Sequence, residues 1–156
     1  MENSSAFVAV ARKYLLALGC FFLGFSGITK GEAQDIVGKW QGVSVKNYYS
    51  TEYAKEVGKS MEEKSAKEIG SSEIDYLADH SFVVIFSAPN SSEEIRMKGT
   101  WSSTGDQLKF TFEPQYNPKN KTTTATYSIK GNTMETTVII SPPSRIIKTI
   151  STATRL

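Results

Sequence analysis

Ile36-Val37-Gly38-Lys39-Trp40-Gln41-Gly42-Val43-Ser44-Val45 is the stretch on which the fold turns. It reads as a first strand with Trp40 in its middle, and Gly38-Lys39-Trp40 forms a Gly-x-Trp triplet. Behind it the chain becomes a series of short strand-like runs separated by turn signals. A tryptophan strand at the head of such a series predicts a small closed β-barrel with that tryptophan buried at its base. Barrels of this size either fill with side chains or keep a cavity for one small ligand.

Upstream of the strand the texture differs. Arg12-Lys13 is a positive patch, Tyr14 to Ile28 is an apolar stretch of 15 residues, and Gly31-Glu32-Ala33 supplies small residues. Charge, apolar core and small residues in that order predict a secretory signal peptide over 1–33, cleaved after Ala33. The apolar stretch is shorter than the roughly 20 residues that cross a bilayer, so no transmembrane span is expected in the mature form. Cys20 is the only cysteine. Ala17-Leu18-Gly19-Cys20 partly fits a lipobox, which makes a lipid anchor through Cys20 the alternative to its removal. Aromatic Phe21-Phe22 follows, where a polar tether is normal. Cleavage at Ala33 leaves neither a disulfide nor a thiol nucleophile.

Downstream, 34–156 reads as one domain. From Glu52 to Ile69, Ala54, Val57, Met61 and Ile69 predict a narrow apolar stripe on a charged helix, ended by Gly70-Ser71-Ser72. This helical insert is expected to pack over one barrel end. After Ser72 the period becomes two. Strands are predicted at 74–77, 82–86, 94–102, 107–112, 122–129, 134–140 and 145–154. Gly131-Asn132 makes a two-residue hairpin turn, and Pro142-Pro143 ends a strand because neither residue donates to a ladder. With the first, this makes eight. Short consecutive connections predict an eight-stranded antiparallel up-and-down β-barrel with one helical insert after the first strand.

The chemistry-bearing residues are sparse. The chain has 18 basic and 16 acidic residues, and removing 1–33 leaves 15 and 14. With no basic block or basic-aromatic ladder, nucleic acid is not an expected partner. His80 is the only histidine and reads as a surface turn residue. No His/Cys/Asp/Glu spacing fits a metal. Glu62-Glu63 and Glu93-Glu94 are neighbours whose side chains diverge, so they read as solvated faces rather than catalytic pairs. No phosphate loop or nucleophile elbow is present. Neither a cofactor nor an enzymatic activity is expected.

Gly38-Lys39-Trp40 resembles the Gly-x-Trp signature of lipocalins. Asp79-His80-Ser81-Phe82, followed by Gly99-Thr100-Trp101 and Leu108, is similar to the bacterial secreted lipocalin-like domains, a calycin-type barrel family. In that group an Asp-Gly-Thr-Phe turn precedes a Gly-Thr-Trp or Gly-Thr-Tyr strand. His80 stands where the group has glycine, at a position expected to need positive φ. The resemblance also implies an arginine packed over the first-strand tryptophan. Arg155 is the positional match and Arg145 the other candidate, so Gly38, Trp40 and Arg155 are the expected barrel closure.

Strand parity places Phe82, Phe86, Met97, Trp101, Phe110, Phe112 and Tyr127 on one face, where they line a pocket or fill the barrel. Two functions follow. The first is a secreted or periplasmic, non-catalytic binding protein for a small hydrophobic ligand, oriented by a few polar groups at the mouth. The second is a filled barrel whose loops or helix dock onto an envelope protein or inhibit a protease. The interior discriminates them: a pocket of roughly 300 Å³ or more favours the first, and a barrel filled by aromatic side chains without one favours the second.

Overall fold

The computed structural model describes residues 35–119 and 121–156. The expected signal peptide, its Ala33 cleavage site and Cys20 lie outside them. The described residues form nine strand segments: β1 Gly38–Tyr49, β2 Met61–Ser65, β3 Ser71–Tyr76, β4 Ser81–Ser87, β5 Glu94–Thr104, β6 Gln107–Phe112, β7 Thr123–Lys130, β8 Thr133–Ile139 and β9 Ile146–Arg155. From β3 to β9 each strand pairs antiparallel with the next, and β9 returns to pair with β1. The result is the closed antiparallel meander expected of a lipocalin-like barrel.

Nine segments make eight staves because β2 and β3 share one path. Gly38–Gln41 of β1 pairs with β3, whereas Ser44–Tyr48 pairs with β2. A bulge between Gly42 and Ser44 bends β1 where its partner changes, and its extra residue Val43 points outward at 42% exposure. Bulges of this kind add local twist and re-aim the strand. Between β2 and β3 lies a single helical turn, α2 Ala66–Ile69.

The insert therefore differs from the one continuous helix expected over 52–69. Helix α1 spans only Thr51–Val57, from the cap at Ser50 to Gly58, which adopts φ +73°. That left-handed glycine ends the helix. Met61–Ser65 then joins the β1 ladder although Met, Glu and Lys favour helix, because pairing of five residues overrides intrinsic propensity. Ser65 opens α2 by donating its backbone N–H and its hydroxyl to Glu68 Oε2, each at 2.8 Å. A glutamate three residues on is the capping-box pattern.

The core occupies the barrel axis. Trp40, Tyr76, Phe82, Trp101, Leu108, Phe110 and Phe112 are buried together at one end, called the base here. Phe82 packs edge-on against Phe110 and Phe112, with ring centroids 6.3 and 5.1 Å away. Gly99 lies opposite Phe82, and a Cβ there would meet the Phe82 ring at 2.7 Å and run into the Thr111 carbonyl. The glycine is needed for space.

Candidate functional site

Three features close the base. Trp40 is fully buried and donates its Nε1–H to the Ile36 carbonyl at 2.8 Å. Arg155 pairs with Trp40 across the β1–β9 ladder, and its guanidinium carbon lies 4.7 Å from the indole centroid. Its Nη2 donates to the Asp35 carbonyl. Arg145, the other candidate, stands over Tyr53 instead, 4.9 Å from the ring centroid. Gly38 takes φ +126°, in the region that favours glycine, as β1 begins. His80 adopts φ +65°, as its place in the turn required. Asp79 Oδ1 accepts from the Ser81 hydroxyl and backbone N–H, which holds its carboxyl below the ordinary range. Trp101 clasps this turn, donating its backbone N–H to the His80 carbonyl at 2.8 Å and its Nε1–H to the Leu77 carbonyl at 3.2 Å.

The seven residues predicted on one face do share the interior, but not equally. Phe82, Met97, Trp101, Phe110, Phe112 and Tyr127 are buried, and only Phe86 is half-buried. Phe82, Phe110 and Phe112 contact one another and Trp101 packs on Tyr76 at 5.5 Å, so these form a floor. Phe86 and its partner Ile95 lie four residues along β4 and β5 from Phe82 and Gly99, in the half of the barrel beyond this floor.

That farther half carries residues the sequence reading missed. Paired residues on neighbouring strands share a face. Val45 faces Ser151 and Asn47 faces Thr149, which in turn pairs with buried Val138. Val45, Asn47, Ser151 and Thr149 therefore point inward. Thr149 is only 2% exposed and donates its hydroxyl to Asn47 Oδ1 at 2.8 Å. Asn47 also pairs with Glu62, and Val45 with Lys64, so a carboxylate and an ammonium join the same face. The alternation Val45, Asn47, Tyr49 was the available signal, overlooked by ending the first strand at Val45.

A latch joins the insert to this rim. Tyr49 donates its hydroxyl to Glu62 Oε2 at 2.8 Å, while Lys59 binds Oε1 and Lys64 lies 3.4 Å from Oε2. The Lys59 and Tyr49 bonds hold the Glu62 carboxyl down at about 2. Burial first, then the bond to Glu62, pushes the Tyr49 hydroxyl up to about 12. Both shifts favour a neutral phenol donating to a carboxylate.

Two concavities among the described residues lie outside the core. An open groove of about 390 Å³ runs beside α1, lined by Tyr49, Ala54, Lys55 and Lys59 among others. A polar hollow of about 270 Å³ sits on the β5–β6 hairpin between Ser102, Thr104, Gln107 and Lys109. No group of three or more metal-ligating side chains occurs among the described residues. None of their helices is long and apolar enough to cross a membrane.

No protein-family model and no curated protein matches the chain. Solved structures do. The siderocalin Ex-FABP, which functions through dual ligand specificities, is 13% identical over 77% of this chain and 73% of its own, with a TM-score of 0.43. Secretory abundant heat soluble protein 4 from Ramazzottius varieornatus is 15% identical over 82% of this chain and 99% of its own, with a TM-score of 0.40. The barrel rests on the strand pairing itself and not on these likenesses.

Proposed function

We propose that this protein is a secreted or periplasmic, non-catalytic lipocalin-like binding protein that takes a small hydrophobic ligand in the half of its barrel away from Trp40. One observation carries the reading. The floor residues Phe82, Phe110 and Phe112 are buried, whereas Val45, Asn47, Phe86, Ile95 and Ser151 are only half-buried. Apolar side chains on one wall and amide and hydroxyl groups on the other suit an amphipathic molecule. Secretion rests on the charge and apolar pattern of 1–33, and the bacterial resemblance rests on the Asp79–Phe82 and Gly99–Trp101 motifs.

Native mass spectrometry of the purified protein, with quenching of tryptophan fluorescence by fatty-acid probes, tests the reading. Co-purified lipid or saturable quenching is expected, and both are expected to weaken in Phe86→Arg. A protein that carries nothing and is not quenched by any probe overturns it.

The edge-to-face packing of Phe82, Phe110 and Phe112, with two concavities on the outside of the core, favours a second reading. In it the barrel is a filled scaffold and the β1–α1–β2 end docks onto an envelope protein. Pull-down from envelope extracts, with and without residues 50–70 replaced by a short loop, separates the two.

A further inference from the structure

We propose that β2 is a pairing edge for a second copy of this chain, joined antiparallel about a two-fold axis through Glu63. Among the described residues β2 has β1 as its sole ladder partner, since β3 and β4 pair only from Ser71 to Ser87. The free backbone groups on β2 follow from the ladder. Tyr49 donates to the Ser60 carbonyl at 2.9 Å, so Ser60, Glu62 and Lys64 bond to β1. Met61, Glu63 and Ser65 direct their backbone N–H and C=O groups away from β1. The Ser65 N–H is already used by Glu68 Oε2, consistent with that direction.

Charges on an edge strand normally discourage pairing. Here the order Met61-Glu62-Glu63-Lys64-Ser65 complements itself when reversed. With Glu63 opposite its own copy, Glu62 faces the second copy's Lys64 and Lys64 faces its Glu62. These fall at non-hydrogen-bonded pairs, where facing side chains come closest. The two Glu63 residues oppose each other at a hydrogen-bonded pair, where they stand farther apart. Each is also neutralised by its own Lys46 at 3.2 Å. The Glu63 groups exchange two backbone hydrogen bonds, and each Met61 N–H reaches the other copy's Ser65 carbonyl. Shifting the pair by two residues places Lys64 opposite Lys64 or Glu62 opposite Glu62, so charge selects this register. The contact is isologous and closes at two chains. It does not depend on whether the barrel holds a ligand.

Sedimentation velocity up to millimolar concentration tests this on protein expressed from the full chain and purified as processed. A concentration-dependent dimer is expected. Glu63→Pro removes an N–H that β1 does not use, so the monomer should keep its circular dichroism while dimerisation is lost. Lys64→Glu sets like charges opposite Glu62 twice over and should weaken the dimer roughly tenfold or more. Glu63→Thr removes the one like-charge pair and should strengthen it. A monomer at every concentration overturns the proposal, as does a dimer indifferent to both Glu63→Pro and Lys64→Glu.

Discussion

Gly99 is the position where one atom decides most. Phe82 lies across the bare backbone there, and a Cβ would meet both its ring and the Thr111 carbonyl. Gly99→Ala should destabilise the protein by about 1–3 kcal/mol, measured by chemical denaturation, because a packed core does not make room cheaply. Phe82→Ala attacks the same junction from the other side. It should cost about 3–5 kcal/mol, since three aromatic rings lose a common neighbour. At the base, Arg155 both covers Trp40 and reaches the Asp35 carbonyl. Arg155→Ala should cost about 1–2 kcal/mol and shift the Trp40 fluorescence maximum to the red as water reaches the indole. Gly99→Ala should leave that emission unchanged, which separates closure from packing.

At the scale of elements, the segment from Ser50 to Gly70 shows where sequence patterning succeeds and where it fails. The β5–β6 and β7–β8 hairpins were legible because alternation and turn residues agree. Ile95, Met97 and Trp101 alternate with charged or hydroxyl residues, and Gly131 supplies a positive φ. Over 52–69 the composition is that of a helix, but pairing with β1 claims Met61–Ser65. Two local signals marked the break, Gly58 as a helix terminator and Ser65 with Glu68 as a new start. Within the candidate site, the aromatic floor was readable from parity. The Asn47–Thr149 pair was not, because it joins positions 102 residues apart.

The latch gives this element a pH signature. Glu62 sits near 2 when folded against an ordinary value of 4.5, so its contribution is present above about 4.5 and is lost as pH falls through 2. Tyr49 sits near 12 against 10, so its contribution is present below 10 and is lost as pH rises through 12. Glu62→Gln should lower the Tyr49 midpoint, read by ultraviolet titration, and abolish the acid-side loss. Burial is the larger cause of the Tyr49 shift, so the midpoint should remain above 10.

On the scale of the whole molecule, the barrel is two halves with different packing. The base is a packed aromatic plug closed by Trp40 and Arg155. The other half has mixed walls, an exposed insert and a rim tied by Tyr49 and Glu62. Hydrogen exchange should resolve them, with amides of β4, β5 and β6 exchanging only on global unfolding. Amides of β2 and the Ser44–Tyr49 part of β1 should open at lower free energy. Uniform protection across both groups would show a single cooperative unit.

The interrupted stave also has a mechanical meaning. Through β3 the ladders join the staves into a closed ring, like hoops on a cask. Where β2 takes its place the sheet ends at a free edge and forms an open cuff. Force applied to the loop before β2 should therefore peel the cuff one bond at a time. The hoops below must instead be sheared together, so the molecule should yield first at the cuff while the plug around Phe82 stays whole.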